Sequence, residues 1–346
     1  MFSTRAKKCA YDPHSRYYRE MATFEVTPVH MQRLIQKLSA SYILSNKCIQ
    51  RLQEVWLLIG AKLSFFRENS LKRDEPYEVD TYLQAVKMEI LNVQDVLYKK
   101  WYPLVQRAMK VGLKKGIILR KTQFFNCVAA IMTSQLKSLC YESLCKYEDA
   151  VCNFQVNIGA LKVELTFVDE NYKLEPDIVD LVKIICEPFT LMHLSVAYFP
   201  RVDMCLDEDP VESSRYNLKT ALPENVLESI RKKAEKSLLA QWTQALTLVE
   251  EFEEYKFLLT NEAQNELNEF LLDTDNKSID DFKQKYDRYV TLKHEIAQLE
   301  KMKVTKRGMY VIECAEIFKQ LISASADLLT SLVSHLKQKL STDTSK

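Results

Sequence analysis

Nine cysteines and five histidines are the side chains of this 346-residue sequence best suited to catalysis or metal binding. Their spacing supports neither. Cys140 and Cys145 stand five positions apart, and Cys145 and Cys152 seven apart. A structural zinc site draws two thiolates from one tight turn, which calls for a shorter spacing, and no CxxC occurs. These residues are read as reduced, mostly buried thiols. His14, His30, His193, His294 and His335 are isolated, with no HExxH. His193 lies in an apolar stretch and is expected to be a core histidine with its ring nitrogen satisfied. A Cys–His nucleophile pair assembles in space, and nothing in the spacing argues for one. The glycines fall at 60, 112, 116, 159 and 308, so neither GxxxxGK[ST] nor GxGxxG can be written and no phosphate-cradling loop of those types exists. The acidic run DMCLDEDPVE (203–212) lacks the alternating ligands and central glycine of an EF-hand and reads as part of a solvated acidic loop over 204–216. No catalytic, cofactor-binding or metal-binding residue is assigned, and the chain is expected not to be an enzyme.

One charged cluster is a candidate contact surface. Arg107, Lys110, Lys114, Lys115, Arg120 and Lys121 follow Pro103, with Gly112 and Gly116 among them. Such a patch suits an acidic partner such as a tubulin surface, and equally a solvated turn between helices. The whole chain has a net charge of +1, which gives no pull toward nucleic acid or an acidic membrane. Its longest apolar runs, such as Cys127–Met132, are far shorter than the ~20 residues that span a bilayer. The start MFSTRAKKCAYDPHSRYY has no apolar stretch of secretory type.

The elements that carry these residues are long helices. Five glycines and nine prolines are few for this length, and strand-rich folds consume both in turns. After a basic and aromatic lead (1–23), Leu34, Leu38, Tyr42, Ile49, Leu52, Trp56, Ile59, Leu63 and Phe66 step by threes and fours from Pro28. With a gap around Ser45, this is one long helix or two with a kink; a single helix of about 38 residues would span about 57 Å. A second helix carries Val79, Tyr82, Val86, Ile90, Val93, Leu97 and Trp101, interrupted at Pro103. A third, Phe124–Tyr147, carries Phe125, Val128, Met132, Leu136, Leu139 and Leu144. Then the period changes. Leu161, Val163, Leu165 and Phe167 alternate with Lys162, Glu164 and Thr166, the pattern of a half-buried strand. Asp169-Glu170-Asn171 is a turn, and Tyr172 and Leu174 resume the alternation. Pro176 suits the first turn of the helix that follows, which runs through Ile185, Phe189 and Met192 to a stop at Pro200-Arg201. Asn153–Asp203 is the one place where β-structure is read. Later helices carry Val226, Ile230, Leu238, Trp242, Leu246, Val249 and Phe252, then Phe282, Tyr286, Tyr289, Ile296 and Leu299 behind a capping box at Ser278 and Asp281. Lys301–Gly308 reads as a short basic bend. The last helix carries Tyr310, Ile317, Leu321, Leu328, Leu332 and Leu336, and 341–346 as a frayed tail. The predicted fold is mainly α: elongated bundles of long antiparallel helices with one small β-hairpin at about 161–175. The organisation read is an N-terminal bundle (24–150), a hairpin-plus-helix junction (151–203) and a coiled-coil-like C-terminal bundle (217–340).

Several of these stretches, in this order, resemble the tail of axonemal dynein heavy chains. Phe124–Val151 resembles a tail helix in which Met-x-x-Gln-Leu is followed by Ser-Leu, here Met132, Gln135, Leu136, Ser143 and Leu144. The strand, acidic turn, second strand, Pro176, helix and Pro200-Arg201 continue the match, as do EEYKFLLTNEAQNELNEFL and the segments after it to about residue 337. The resemblance implies a structural tail segment that precedes the linker and motor. It implies docking to dynein intermediate, light intermediate and light chains, to neighbouring heavy chains and to the axonemal doublet microtubule, in the cytoskeleton of cilia. ATP hydrolysis in that family belongs to a motor ring absent from this sequence, so no catalytic residue or cofactor carries over. The hairpin is then a brace between bundles, or a ledge whose strand edge takes a partner. A helical scaffold or adaptor unrelated to dynein is the alternative.

Overall fold

The computed structural model describes residues 28–67, 70–113, 121–205, 217–273 and 277–343. The lead 1–23 and most of the acidic loop lie outside them. The fold is mainly α with one small sheet. Its principal helices are α1 (Pro28–Leu58), α2 (Val79–Val96), α3 (Tyr102–Leu113), α4 (Lys121–Cys152), α5 (Ile178–Ala197), α6 (Glu224–Glu253), α7 (Glu262–Leu272), α8 (Ile279–Gln298) and α9 (Ala315–Asp343). The strands are β1 (Leu161–Val168), β2 (Asn171–Glu175), β3 (Val304–Arg307) and β4 (Tyr310–Glu313). Two compact units form. The first takes the chain up to Leu63, Asp95–Leu136 and Tyr198–Thr220; the second takes Ser64–Gln94, Lys137–Ala197 and the chain from Ala221.

In the first unit α1 packs on α3. Cys48, Leu52 and Val55 are buried, but Leu38 and Tyr42, which the spacing put on the core stripe, are 45% and 71% exposed. The helix is shorter than predicted. It ends at Leu58 in a tight turn, where the Trp56 indole lies so close over Gly60 that any Cβ there would meet the ring. Pro103 does not interrupt the helical path. The chain widens into a π turn over Leu97–Trp101, and the Tyr102 N–H donates to the Leu97 carbonyl. That wider turn admits a residue that has no N–H to give and a ring that crowds the turn before it. Trp101 is fully buried, its ring 5.4 Å from Trp56 and 5.5 Å from Phe199.

The second unit holds the stripe Val79, Tyr82, Val86, Ile90 and Val93, all buried as the spacing requires. Ser143, on the part of α4 in this unit, is buried and doubly bonded: its Oγ donates to Leu139 O (2.7 Å) and accepts the Phe65 N–H (3.0 Å). On α6 the core stripe runs Ile230, Ala234, Leu238, Trp242, Ala245, Leu248 and Phe252. It passes by Leu246, a predicted core residue, which is 42% exposed. Ala234 and Ala245, which the spacing did not single out, are fully buried in it. The capping box opens α8: the Asp281 N–H donates to Ser278 Oγ (3.2 Å), and the Ser278 N–H to Asp281 Oδ2 (2.8 Å). Phe282, Tyr289 and Ile296 are buried and α8 packs on α9, but Tyr286 is exposed. The last helix stays helical to Asp343, past the start of the expected tail.

The hairpin forms where the alternation put it. Leu161, Val163 and Leu165 face inward, and Asp169 and Glu170 make a two-residue turn at φ 53° and 60°, the left-handed pair a type I′ hairpin needs. Pro176 is not in the first helical turn. Its peptide with Glu175 is cis, and α5 starts at Ile178, capped by the Asp177 carboxylate accepting the Asp180 N–H (2.8 Å). β-structure is not confined to this hairpin. The basic bend is β3, and Tyr310, read as part of the last helix, lies in β4. The two are antiparallel and turn at Gly308 (φ 57°). β4 then pairs parallel to β1, Leu161 opposite Tyr310 and Glu164 opposite Glu313, giving one sheet of order β2-β1-β4-β3.

Ile312, fully buried on β4, sits beside Val163 in this sheet. Ile312→Ala is expected to lower unfolding stability by about 3 kcal/mol, the usual cost of such a cavity. Chemical denaturation checks it. A change under about 0.5 kcal/mol, the range of ordinary surface substitutions, would show β4 to be peripheral.

Candidate functional site

The basic patch is only partly described. Arg107 and Lys110 are exposed one turn apart on α3, and Lys121 is exposed at the start of α4. Lys114, Lys115 and Arg120 lie outside the described residues.

The motif residues are mostly structural in their surroundings. Met132 and Leu136 are fully buried on α4, and Leu144 likewise further along it. Gln135 lies between them, half-buried, its Oε1 enclosed without a hydrogen-bond partner. Pro200 bridges to Asn217, and Arg201 is a clamp. Its guanidinium meets Asp203 with two parallel bonds, Nε to Oδ1 (3.0 Å) and Nη2 to Oδ2 (2.8 Å), and donates to Asn126 Oδ1 on α4 (3.0 Å). Its carbonyl accepts the Tyr102 hydroxyl from α3 (3.0 Å). A guanidinium fork fits a carboxylate in this way, where a lysine would make a single point contact. Asp203 was read only as one more acid of the loop. The Arg-x-Asp spacing was the available signal for its role.

In the second unit Tyr82 and Tyr147 form a buried pair. The Tyr147 hydroxyl donates to Ile185 O (2.8 Å), so Tyr82 donates to Tyr147 (2.8 Å). Burial holds both phenols well above their ordinary pKa, so they bond as neutral groups joining α2, α4 and α5. The buried thiols Cys140, Cys186 and Cys314 are likewise held neutral. Burial pushes Cys140 and Cys314 up to about 12 and Cys186 to about 11, which removes the thiolate a nucleophile or metal ligand requires. His193 is half-buried rather than in the core, and its Nε2 accepts the Leu222 N–H (3.3 Å). Among the described residues no three His, Cys, Asp or Glu side chains gather as a metal site, and no helix is long and apolar enough to cross a membrane.

One charge cluster among the described residues was missed on sequence. Lys162, on the outer face of β1, lies 3.1 Å from Glu78, 3.1 Å from Glu313 on β4 and 3.6 Å from Glu164. Its ammonium ties the segment before α2 to both parallel strands. Hydrogen bonds to Glu78 and Glu313 raise its pKa above the ordinary 10.5. A group so raised contributes stability that is fully present below its unfolded pKa and lost only as pH rises through the folded value. The contribution is therefore complete at neutral pH. Lys162→Met leaves three carboxylates facing one another. Its loss of Tm is expected to be largest in low salt and to shrink in 1 M salt, which screens the carboxylates from one another. Thermal unfolding across those conditions checks this; an equal loss in both would assign the effect to packing.

No family model matches the chain. Relatives are found among curated proteins. The chain is 23% identical to dynein axonemal heavy chain 12 of Mus musculus over 271 residues, 75% of this chain and 8% of that protein. The human protein of that name gives 23% over 65% of the chain, and the rat protein 24% over 65%. The chain thus spans less than a tenth of the relatives it matches. It is distantly similar to axonemal dynein heavy chains.

Proposed function

We infer that this chain is a non-catalytic tail segment of an axonemal dynein heavy chain, working as a structural and docking part of a microtubule-based motor complex in cilia. The observation that carries the reading is the ordered module Asn153–Asp203, together with the distant similarity over three-quarters of the chain. Its strand, turn, strand, helix and Pro200-Arg201 follow one another in the order by which the sequence resembles a dynein tail. Each piece has a mechanical role in its own unit: β1 is the inner strand of the sheet, and Arg201 clamps α3 and α4. A tail carries load and presents surfaces, which calls for packed helices. Partners on this reading are dynein intermediate, light intermediate and light chains, neighbouring heavy chains and the doublet microtubule. The exposed cations Arg107, Lys110 and Lys121 are candidates for an acidic one.

Capture on the tagged full chain from extracts of ciliated cells tests the reading. Recovery of dynein intermediate or light chains, or of axonemal tubulin, is expected, and Arg107→Glu with Lys110→Glu should reduce any tubulin recovered. A folded, monomeric chain that brings down none of these from an extract in which native dynein complexes are intact would contradict it, and would favour a stand-alone helical scaffold.

A further inference from the structure

The sheet is incomplete at one position. Along β1 the backbone groups alternate sides: the Leu161 N–H donates to Met309 O on the β4 side (2.8 Å), and the Lys162 N–H to Tyr77 O on the other (2.8 Å). Continuing the alternation, Leu165 and Phe167 direct their carbonyls toward the β4 side, and Phe167 its N–H. β4 has ended by then. Glu313 is its last residue, opposite Glu164; Cys314 turns its N–H to Lys303 O (2.8 Å), and α9 begins at Ala315. β2 covers only the opposite edge, through the pairs Glu164–Glu175 to Val168–Asn171. Leu165–Val168 therefore has an open edge, and it contains no proline or lysine of the kind that blunts such edges. Beside it runs a groove of about 470 Å³, walled by β1 from Glu164 to Phe167 on one side and by the exposed face of the first turns of α9 (Glu316, Lys319, Gln320) on the other.

We propose that this groove is a strand-addition site, taking an extended, lysine- or arginine-bearing segment of a partner protein as a further strand on β1, in line with β4. The missing occupant is a strand because the unmet groups belong to an edge and the wall opposite is a helix. A strand in such a slot gains main-chain bonds from the edge and side-chain contacts from both walls. Its charge follows from the rim. Glu164, Glu313 and Glu316 line it with Lys319 among them, and Lys162 is already engaged by Glu164 and Glu313, which leaves an excess of carboxylate that a cationic side chain reaching out of the slot would meet. The site stands apart from the ciliary assignment, since it rests on the sheet alone.

The test uses the full chain labelled for NMR and an end-blocked Lys-Val-Lys-Val-Lys peptide as the probe. Binding is expected to slow amide exchange at Phe167 and to shift resonances of Glu164–Val168 and Glu316–Gln320. A Glu-Val-Glu-Val-Glu peptide should bind at least tenfold more weakly. N-methylating the two valine amides, or separately the three lysine amides, should abolish binding for one set and spare it for the other, because only alternate amides of a strand face the edge. Glu316→Lys, an exposed helix substitution that preserves the fold, should lower the preference for the basic peptide at least tenfold. No protection at Phe167, equal binding of both peptides, or equal effects of the two methylation sets would overturn the proposal. Self-association of the chain through this edge without peptide would overturn it too, by making a second copy the occupant.

Discussion

The second unit depends on four residue pairs, the parallel register of Leu161–Glu164 on Tyr310–Glu313. Without it there are two short hairpins, each marginal alone, since an isolated two-stranded ribbon is barely stable in water. With it there is one sheet, whose inward residues Leu161, Val163, Leu165, Tyr310 and Ile312 are all buried. Tyr310 also sets its ring edge-on to Trp242 of α6, at 5.2 Å and 88°, so the sheet and the longest buried stripe of the unit share a contact. The pairing is reinforced outside by Lys162, whose three carboxylates come from β1, β4 and the segment before α2. Polar and apolar faces of the same strands thus enforce one register, and a one-residue slip would invert both.

The same constraint makes the edge asymmetric. β1 is eight residues long and β4 four, so a parallel register that begins at Leu161 must leave β1 uncovered beyond Glu164. The open edge at Phe167 is a consequence of strand lengths and of the helix that begins at Ala315. It is no local irregularity. A structural strand and a docking edge are in this case two halves of one element.

Legibility in the sequence followed the range of the interaction. The stripe Val79 to Val93 on α2 was read correctly because helical periodicity is local and repeated. The first hairpin was legible because eight alternating residues precede a polar turn. The second was not: VTKR and YVIE offer four residues each, and Tyr310 stands seven positions before Ile317, a separation that also fits a helix. The parallel pairing has no local signature, since it joins strands far apart in the chain. Leu246 and Tyr286 illustrate a different failure. Periodicity names a face and not its width, and what lies opposite decides whether a residue at its margin is covered. At the candidate site, Arg201 was marked by resemblance, but its partners Asp203, Asn126 and Tyr102 were legible only once the helices were placed. Lys162 was read as an outward strand residue, which it is; Glu164 is its neighbour on the strand, but Glu78 and Glu313 come from segments no local pattern connects.

Hydrogen exchange at the β1–β4 ladder tests most directly whether this pairing holds the unit together. In the full chain under native conditions, the amides of Leu161, Val163 and Val311 are predicted to exchange only with global unfolding of the unit, with the same opening free energy as the buried middle of α6 around Leu238. Exchange of those three amides by a local opening, while α6 stays protected, would contradict the account and make the sheet an ornament on a helical core.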